Sequence, residues 1–517
     1  MPLTLFRPIL PDSLRPDARD ARLPLRPAHG FRNIMHDGEA PEALRWRGLG
    51  HSAETEVMLA LLAERMMSAA PRNVSAPFAA GYTYLAQFMA HDLQFSTDET
   101  VYPGGATPFP PLHKRRLMLE TIYGDGPEQD PEFYGEGCDA LARWRLRVGA
   151  FGPGVSPGQR TLPRRRHEGC SADPNTPLCA ADDRNDENPV VAQIAGFFMR
   201  LHNVALRRLN RYDPGPERFA AAQRVTRAIY RRIVFDDLLV RLLREDVRSR
   251  FEQGARIDAR ALTDDDAPVE FTHAVFRAGH ALVRADYAIN DNVNAGRAVN
   301  VQYMIRHTSR RDAATFDHGA GWPIDWSRFF GERAQGAQGF GPHVNAFLAE
   351  APGILSADYP RARRAHLILR DLVRGMDAGV MRVEPLGEAI RPLFEGEPGL
   401  ERWLALDESH RGRAVLDWIA NDRALRAYSR DLCAEPPLYF FTLLEAGSPW
   451  EQGGGGGKCF GALGSAIMAD LLFAARAASR AKVEEHPELG RDIEDTLGED
   501  CGLNSMARLI AVLTRRA

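Results

Sequence analysis

Four segments of the 517-residue chain place chemistry-bearing polar side chains on stretches otherwise built from apolar residues. In Tyr84-Leu-Ala-Gln87-Phe-Met-Ala-His91-Asp92, Gln87 and His91 are four apart, so they share a helix face beside Leu85, Phe88 and Met89. Such a pair can handle a proton; taken alone, it is more often a hydrogen-bonded pair in a core. Asp182-Asp-Arg184-Asn-Asp-Glu187-Asn188-Pro189 precedes the apolar run VVAQIAGFFMRLHN, and acids and Asn before a helix are capping chemistry in the first instance. Ala274-Val-Phe276-Arg277-Ala-Gly279-His280-Ala-Leu-Val283 sets His280 on an apolar helix, with Gly279 leaving room for something bulky. A neutral imidazole there could ligate a metal or a haem iron, although a lone core histidine more often only packs. In Leu367-Ile-Leu-Arg370-Asp371-Leu-Val-Arg374-Gly375, Asp371 falls on the inner side of a helix, where a carboxylate needs partners.

The elements that must carry these residues are helical. From Glu54, VMLALLAERMM repeats apolar residues at helical spacing behind a candidate N-cap, Ser52. Further helices are expected at 79–95, 189–211, 217–250, 268–284, 344–350, 360–375, 412–420, 462–479 and 505–515. Strand alternation is almost absent. Residues 101–181 read as long ordered loops, and Gly453–Gly457 as a flexible surface loop, not a phosphate cradle, because no strand precedes it. The expected organisation is an N-terminal arm (1–50), one large helical domain (51–480) and a C-terminal helical extension packed on it (481–517).

Composition narrows the function classes. A net charge of −4 provides no global basic field for nucleic acid or a membrane surface. No run of about twenty apolar residues suggests a membrane span. The proline- and charge-interrupted start lacks a signal peptide's apolar stretch, so a cytoplasmic location is expected. Six cysteines in so long a chain make no disulfide scaffold. Cys170 and Cys179 could close a short loop, but free thiols are the more usual state. Only Lys114, Lys458 and Lys482 among the 65 basic residues are lysine, so any single arginine needs positional support before it is given a role.

Together the four segments resemble the peroxidase–cyclooxygenase superfamily, the animal-type haem peroxidases, in their bacterial branch. Ala86–Asp92 is similar to the family's "GQF-x-DHD" segment. Asp182–Asn188 with Phe198-Met-Arg200-Leu-His202-Asn203 is similar to "D-x-RxNEN…F-R-x-HN", Phe276–His280 to "FR-x-GH", and Asp371–Gly375 to "N-x-x-RG". Pro437-Leu-Tyr-Phe and Phe460–Ile467 resemble "PLW" and "LGPVGGRI", so the matches run in family order from about residue 80 to 475. The resemblance implies a mainly α fold with haem held between a distal and a proximal helix. It implies an enzyme, a haem peroxidase in which hydrogen peroxide oxidises haem and a small organic reductant or halide returns the electrons. His91 would be the distal acid–base, Arg184 the distal arginine and Gln87 the residue holding distal water or halide. His280 would be the iron ligand, and Arg374 a partner of a haem propionate.

The departures from the family pattern carry expectations of their own. The aspartate before the distal histidine is Ala90, while the second haem-linking carboxylate is kept as Glu187, so haem b with at most one ester link is expected. The calcium-loop positions become Lys114, Met118 and Glu120, with Asp92 from the distal helix. Two of the oxygen ligands are thus replaced, no calcium is expected, and Asp92 could pair with Lys114. Asp371 stands where the family has the asparagine that touches the proximal histidine. Arg277 stands where the cyclooxygenases and fatty-acid dioxygenases carry a radical tyrosine. The same fold could also serve an oxygenase or radical-coupling enzyme of secondary metabolism, and product analysis separates the two. A non-enzymatic helical scaffold would show no Soret band. Oligomeric state is left open.

Overall fold

The structure, a computed structural model, describes residues 33–36, 40–46, 48, 53–68, 77–93, 117–135, 138–151, 159–163, 180–257, 267–306, 322–345, 367–397, 400 and 408–515. Ser52, Lys114, Cys170, Cys179 and the expected helix at 344–350 lie wholly or mostly outside these residues. The principal helices are α1 (Ala53–Ser68), α2 (Gly81–Leu93), α3 (Pro189–Arg208), α4 (Pro216–Ile233), α5 (Glu245–Glu252), α6 (Leu367–Asp377), α7 (Leu438–Gly447), α8 (Ala462–Ala478), α9 (Leu489–Leu497) and α10 (Met506–Arg515). Among the described residues, strands occur only as two short antiparallel pairs, Gly149–Ala150 with Arg160–Thr161 and Asp286–Tyr287 with Val299–Asn300.

The central helix is α3, and its start is set locally. Asn188 accepts the Val191 N–H at 2.9 Å, and Pro189 occupies the first turn, where its missing N–H costs nothing. Every side chain from Pro189 to Leu206 is buried, as a helix apolar on most sides requires. Three aromatic rings lock α2, α3 and α4 together. Phe88 stacks on Phe198 with centroids 5.3 Å apart, and Tyr230 stands edge-on to both. Buried apolar residues from Ile34 to Leu513 form one continuous core.

Buried polar groups join the distant parts of the chain. Glu270 accepts Asn33 Nδ2 at 2.6 Å, Ile34 N–H at 2.8 Å and Met381 N–H at 2.9 Å, fastening the N-terminal segment to the start of the His280 region. Asp237 accepts the Tyr82 hydroxyl at 2.9 Å and the Met506 N–H at 2.8 Å, linking α2 to α10. Asp492 on α9 pairs with Arg211 and Arg224, and Arg200 donates to the Leu513 carbonyl on α10. Both C-terminal helices therefore rest on the α3–α4 pair.

Three expectations require correction. The 217–250 stretch is divided: α4 ends at Ile233, a π-helical turn follows over Val234–Leu238, and α5 starts only at Glu245. The 268–284 helix is a π-helical turn, Phe271–Val275, running into a 3-10 segment, Phe276–Leu282. Within it the Thr272 carbonyl accepts Nε of Arg277 at 3.1 Å, a side-chain donor competing with the regular ladder. Gly453–Gly457 is no flexible surface loop. Four of its five glycines are buried, and a Cβ at Gly455 would sit 1.8 Å from the Cys459 carbonyl, a close approach only glycine permits.

His202 and Asn203, from the α3 motif, prove to be structural pins. Asn203 bonds both the N–H and the carbonyl of Leu146, at 3.0 and 2.8 Å. His202 contacts the Tyr123 hydroxyl at 3.1 Å and the Trp144 carbonyl at 3.0 Å. Complete burial pushes the His202 imidazole down to about 4, against the opposing pull of the Trp144 carbonyl. Between pH 4 and 6.5 its neutral form is thus favoured in the folded chain but not in the unfolded one. Between pH 6.5 and 4 the unfolded chain binds the extra proton, so this contribution is intact above pH 6.5. It is lost progressively, by about 3 kcal/mol, as the pH falls towards 4. Thermal midpoints measured across that range should fall more steeply for the wild type than for His202→Gln; equal slopes would assign the acid sensitivity to other groups.

Candidate functional site

Two imidazole-centred clusters sit on opposing elements: α2 carries the first, and the 3-10 segment Phe276–Leu282 packed against α2 carries the second. In the first, His91 is buried, with 7% of its surface exposed. Its Nδ1 lies 2.9 Å from Asn185 Oδ1, and the Asn185 amide is oriented by donating Nδ2 to the Thr121 carbonyl at 3.2 Å. Because an oxygen faces Nδ1, that nitrogen carries the proton and Nε2 keeps its lone pair. Burial lowers the His91 pKa, the Arg184 guanidinium lowers it further, and Glu187, Asp182 and the Asn185 bond oppose them without prevailing.

Arg184 lies in the 3-10 turn Asp183–Asp186 that leads into α3. Asp182 grips it by accepting Nε at 2.9 Å and Nη2 at 2.6 Å, and the same Nη2 donates to the His91 carbonyl at 2.9 Å. This charge is fixed in place beside the imidazole. Gln87 is held at both ends of its amide: Nε2 donates to Glu187 Oε2 at 2.7 Å, and Oε1 accepts Asn188 Nδ2 at 3.1 Å. The residue that caps α3 therefore also orients Gln87, one turn before His91.

In the second cluster, His280 Nδ1 lies 2.8 Å from Asp371 Oδ2, and Arg277 Nη1 donates to Asp371 Oδ1 at 2.9 Å. Asp371 is fully buried on α6. Burial alone would raise its pKa; the His280 ring, Arg277 and Arg374 together hold it below the usual carboxylate range. The carboxylate accepts from Nδ1–H, so the His280 lone pair is at Nε2, which no described residue hydrogen-bonds. The His280 side chain is 31% exposed, and a Cβ added at Gly279 would meet nothing within 4 Å. An available imidazole nitrogen backed by a carboxylate, beside open space, fits an axial ligand of a flat iron-bearing group. Among the described residues no three His, Cys, Asp or Glu side chains gather as a metal set of their own.

The sequence profile described as animal haem peroxidase matches residues 120–379, half of the chain. The chain belongs to the animal haem peroxidase family. Its fold is shared with peroxidase A from Dictyostelium discoideum, at 14% identity and a TM-score of 0.58, covering 88% of each chain. It is also similar to the fatty acid alpha-dioxygenase of Oryza sativa, at 13% identity and a TM-score of 0.55, covering 90% of this chain and 80% of that one. The Arabidopsis thaliana fatty acid alpha-dioxygenase matches at 13% identity and a TM-score of 0.55, covering 88% and 75%. Among curated proteins, none matches in sequence. No described helix is long and apolar enough to cross a membrane.

The haem peroxidase fold thus gathers Gln87, His91, Arg184 and Glu187 in one cluster and Arg277, His280, Asp371 and Arg374 in or beside the other. Two side chains of these segments make bonds that the sequence did not reveal. Arg277 directs its guanidinium at Asp371 and the Thr272 carbonyl, so it supports the histidine's partner. Asp92 accepts the N–H groups of Leu119 and Glu120, both at 3.1 Å; its expected partner Lys114 lies outside the described residues. Sequence reasoning missed Asn185 as the anchor of His91; its position between Arg184 and Glu187 was the available signal. Titration of isotope-labelled histidine by NMR should find His91 neutral at pH 6.5 with Nδ1 protonated. Arg184→Met should raise its pKa, and a His91 that protonates above pH 6.5 in the wild type would contradict this geometry.

Proposed function

We propose that the protein is a haem-dependent peroxidase that uses hydrogen peroxide to oxidise a small organic substrate or a halide. One observation supports this reading above the others: two imidazoles on packed elements are both anchored through Nδ1, each keeping Nε2 as a lone pair. Haem bound through His280 supplies the redox iron at which peroxide is reduced. His280 Nε2 would hold that iron and Arg374 would pair with a propionate. His91 Nε2 would take a proton from the peroxide and return it to the departing oxygen. Its depressed pKa keeps it in the base form at neutral pH. Arg184, fixed by Asp182, stabilises the negative charge that develops on the peroxide oxygens. Gln87 positions water or halide next to His91.

The choice of peroxidase over oxygenase rests on Arg277. The position that resembles the dioxygenases' radical tyrosine carries a guanidinium here, already bonded to Asp371, and a guanidinium cannot store a radical. Glu187 is engaged by Gln87, and its carboxylate is the one candidate for an ester to haem b.

Purified protein supplied with haem should show a Soret band, and acid–acetone extraction decides the linkage: pigment that stays with the protein implicates Glu187. His91→Ala should keep the band and lose about 10²- to 10⁴-fold in the rate of reaction with peroxide. Regiospecific oxygen insertion into a fatty acid, with no peroxide-dependent oxidation of phenols or halide, would overturn the proposal. Asp371→Asn should raise the Fe(III)/Fe(II) potential by at least about 59 mV, one tenfold change in relative affinity for the two iron states. An unchanged potential in spectroelectrochemical titration would remove Asp371 from any part in tuning the iron.

A further inference from the structure

The turn Leu117–Glu120 lies beneath the end of α2 and is backbone-strained. Leu117 and Leu119 both adopt left-handed conformations with φ of 57°, uncommon for leucine, and both are fully buried. Two opposing sets of bonds hold it. From α2, the Asp92 carboxylate accepts the Leu119 and Glu120 N–H groups. From α4, two arginines, four residues apart and so on one face, take its carbonyls: Arg227 Nε donates to Met118 O at 2.7 Å, and Arg231 Nε to Leu117 O at 3.1 Å. Arg231 Nη2 also contacts Met118 Sδ at 3.2 Å.

We infer that Arg227 and Arg231 supply the positive charge that the related fold takes from calcium at this turn, and that they are positioning residues for His91. The inference rests on the peroxidase reading for the importance of His91, but its calcium arm does not. Four oxygens around the turn are already engaged: the Leu117 and Met118 carbonyls accept guanidinium N–H groups, and both Asp92 oxygens accept backbone N–H groups. Charge tells against a metal as well. Asp92 and Glu120 are the carboxylates beside Arg227, which also lies over the Tyr123 ring at 5.2 Å. Arg231 has Asp92 near it and Glu484 at 3.8 Å. A dication would enter against two fixed positive charges.

The path to the imidazole is short and fully bonded. Thr121 follows the turn directly, and its carbonyl orients the Asn185 amide whose oxygen holds His91 Nδ1. Asp92 is the residue after His91 on α2. A turn released from Arg227 and Arg231 would free the Thr121 carbonyl and, with it, the tautomer of His91.

The test begins with the wild-type holoprotein. After exhaustive EGTA treatment and desalting, its thermal midpoint should stay within about 1 °C on adding millimolar CaCl2, and calorimetric titration should show no stoichiometric calcium. Arg227→Met and Arg231→Met should lower the midpoint. In Arg227→Met the acid limb of the peroxide reaction should shift while the Soret band is retained. Arg227→Lys, which keeps the charge with a poorer donor geometry, should recover part of both effects. A variant that fails to fold leaves the calcium arm to decide. Calcium bound at one equivalent with a raised midpoint overturns the inference. So does an Arg227→Met protein whose midpoint and acid limb both match the wild type.

Discussion

The Asp371 carboxylate is the group on which one half of the site depends. It is buried completely, and an ion taken out of water persists only where opposite charge and hydrogen bonds replace the lost hydration. His280 and Arg277 do this from the 3-10 segment, with Arg374 nearby on its own helix. The requirement acts in both directions. The carboxylate directs the His280 proton to Nδ1 and leaves Nε2 for a ligand, and Arg277 must be drawn inward to balance the charge. That need accounts for the irregular backbone from Phe271 to Leu282, since Arg277 Nε also takes the Thr272 carbonyl. The local helix distortion and the ligand geometry are two results of one buried charge.

The other half of the site anchors its imidazole through a neutral amide. His91 is tied to an amide, not a carboxylate, so nothing beside it favours the imidazolium strongly enough to offset burial and the Arg184 charge. The two histidines therefore differ in chemistry by the partner at Nδ1. A carboxylate makes one imidazole a strong electron donor; an amide with a fixed guanidinium nearby keeps the other a neutral base.

The helical architecture, and the grouping of the polar residues singled out on it, were legible in the sequence because these depend on local information. The apolar period of α3, its Asn188-Pro189 start and the fixed spacing of Gln87 to His91 or Asp371 to Arg374 are all visible within a dozen residues. What could not be read depends on partners remote in the chain. The division of 268–284 into π and 3-10 turns follows from a side chain reaching back to Thr272 under the pull of Asp371, nearly a hundred residues away. The Gly453–Gly457 run reads as flexible by composition, yet its glycines are present because the Ser448 and Cys459 carbonyls leave no space for a Cβ. The α4 arginines lie in a helix whose pattern looks merely amphipathic, and only folding brings them over the Leu117–Glu120 turn.

Arginine abundance is therefore poor evidence in the sequence and good evidence in the structure. Among 65 basic residues only three are lysine, so no single arginine stands out by type. Bonding separates them: a guanidinium is drawn inward where several acceptors lie in its plane, and these acceptors are what the fold must hold in place. Arg184 bridges Asp182 and the His91 carbonyl, Arg277 joins Asp371 to Thr272, and Arg227 and Arg231 take the carbonyls of the turn below α2. Each spans two segments distant in sequence and ends within one or two bonded steps of an imidazole. A planar donor with fixed directions transmits position as well as charge, which a lysine ammonium would do less well. The two histidines are held by a frame of such forks, and the frame's geometry determines which nitrogen of each ring is left for chemistry.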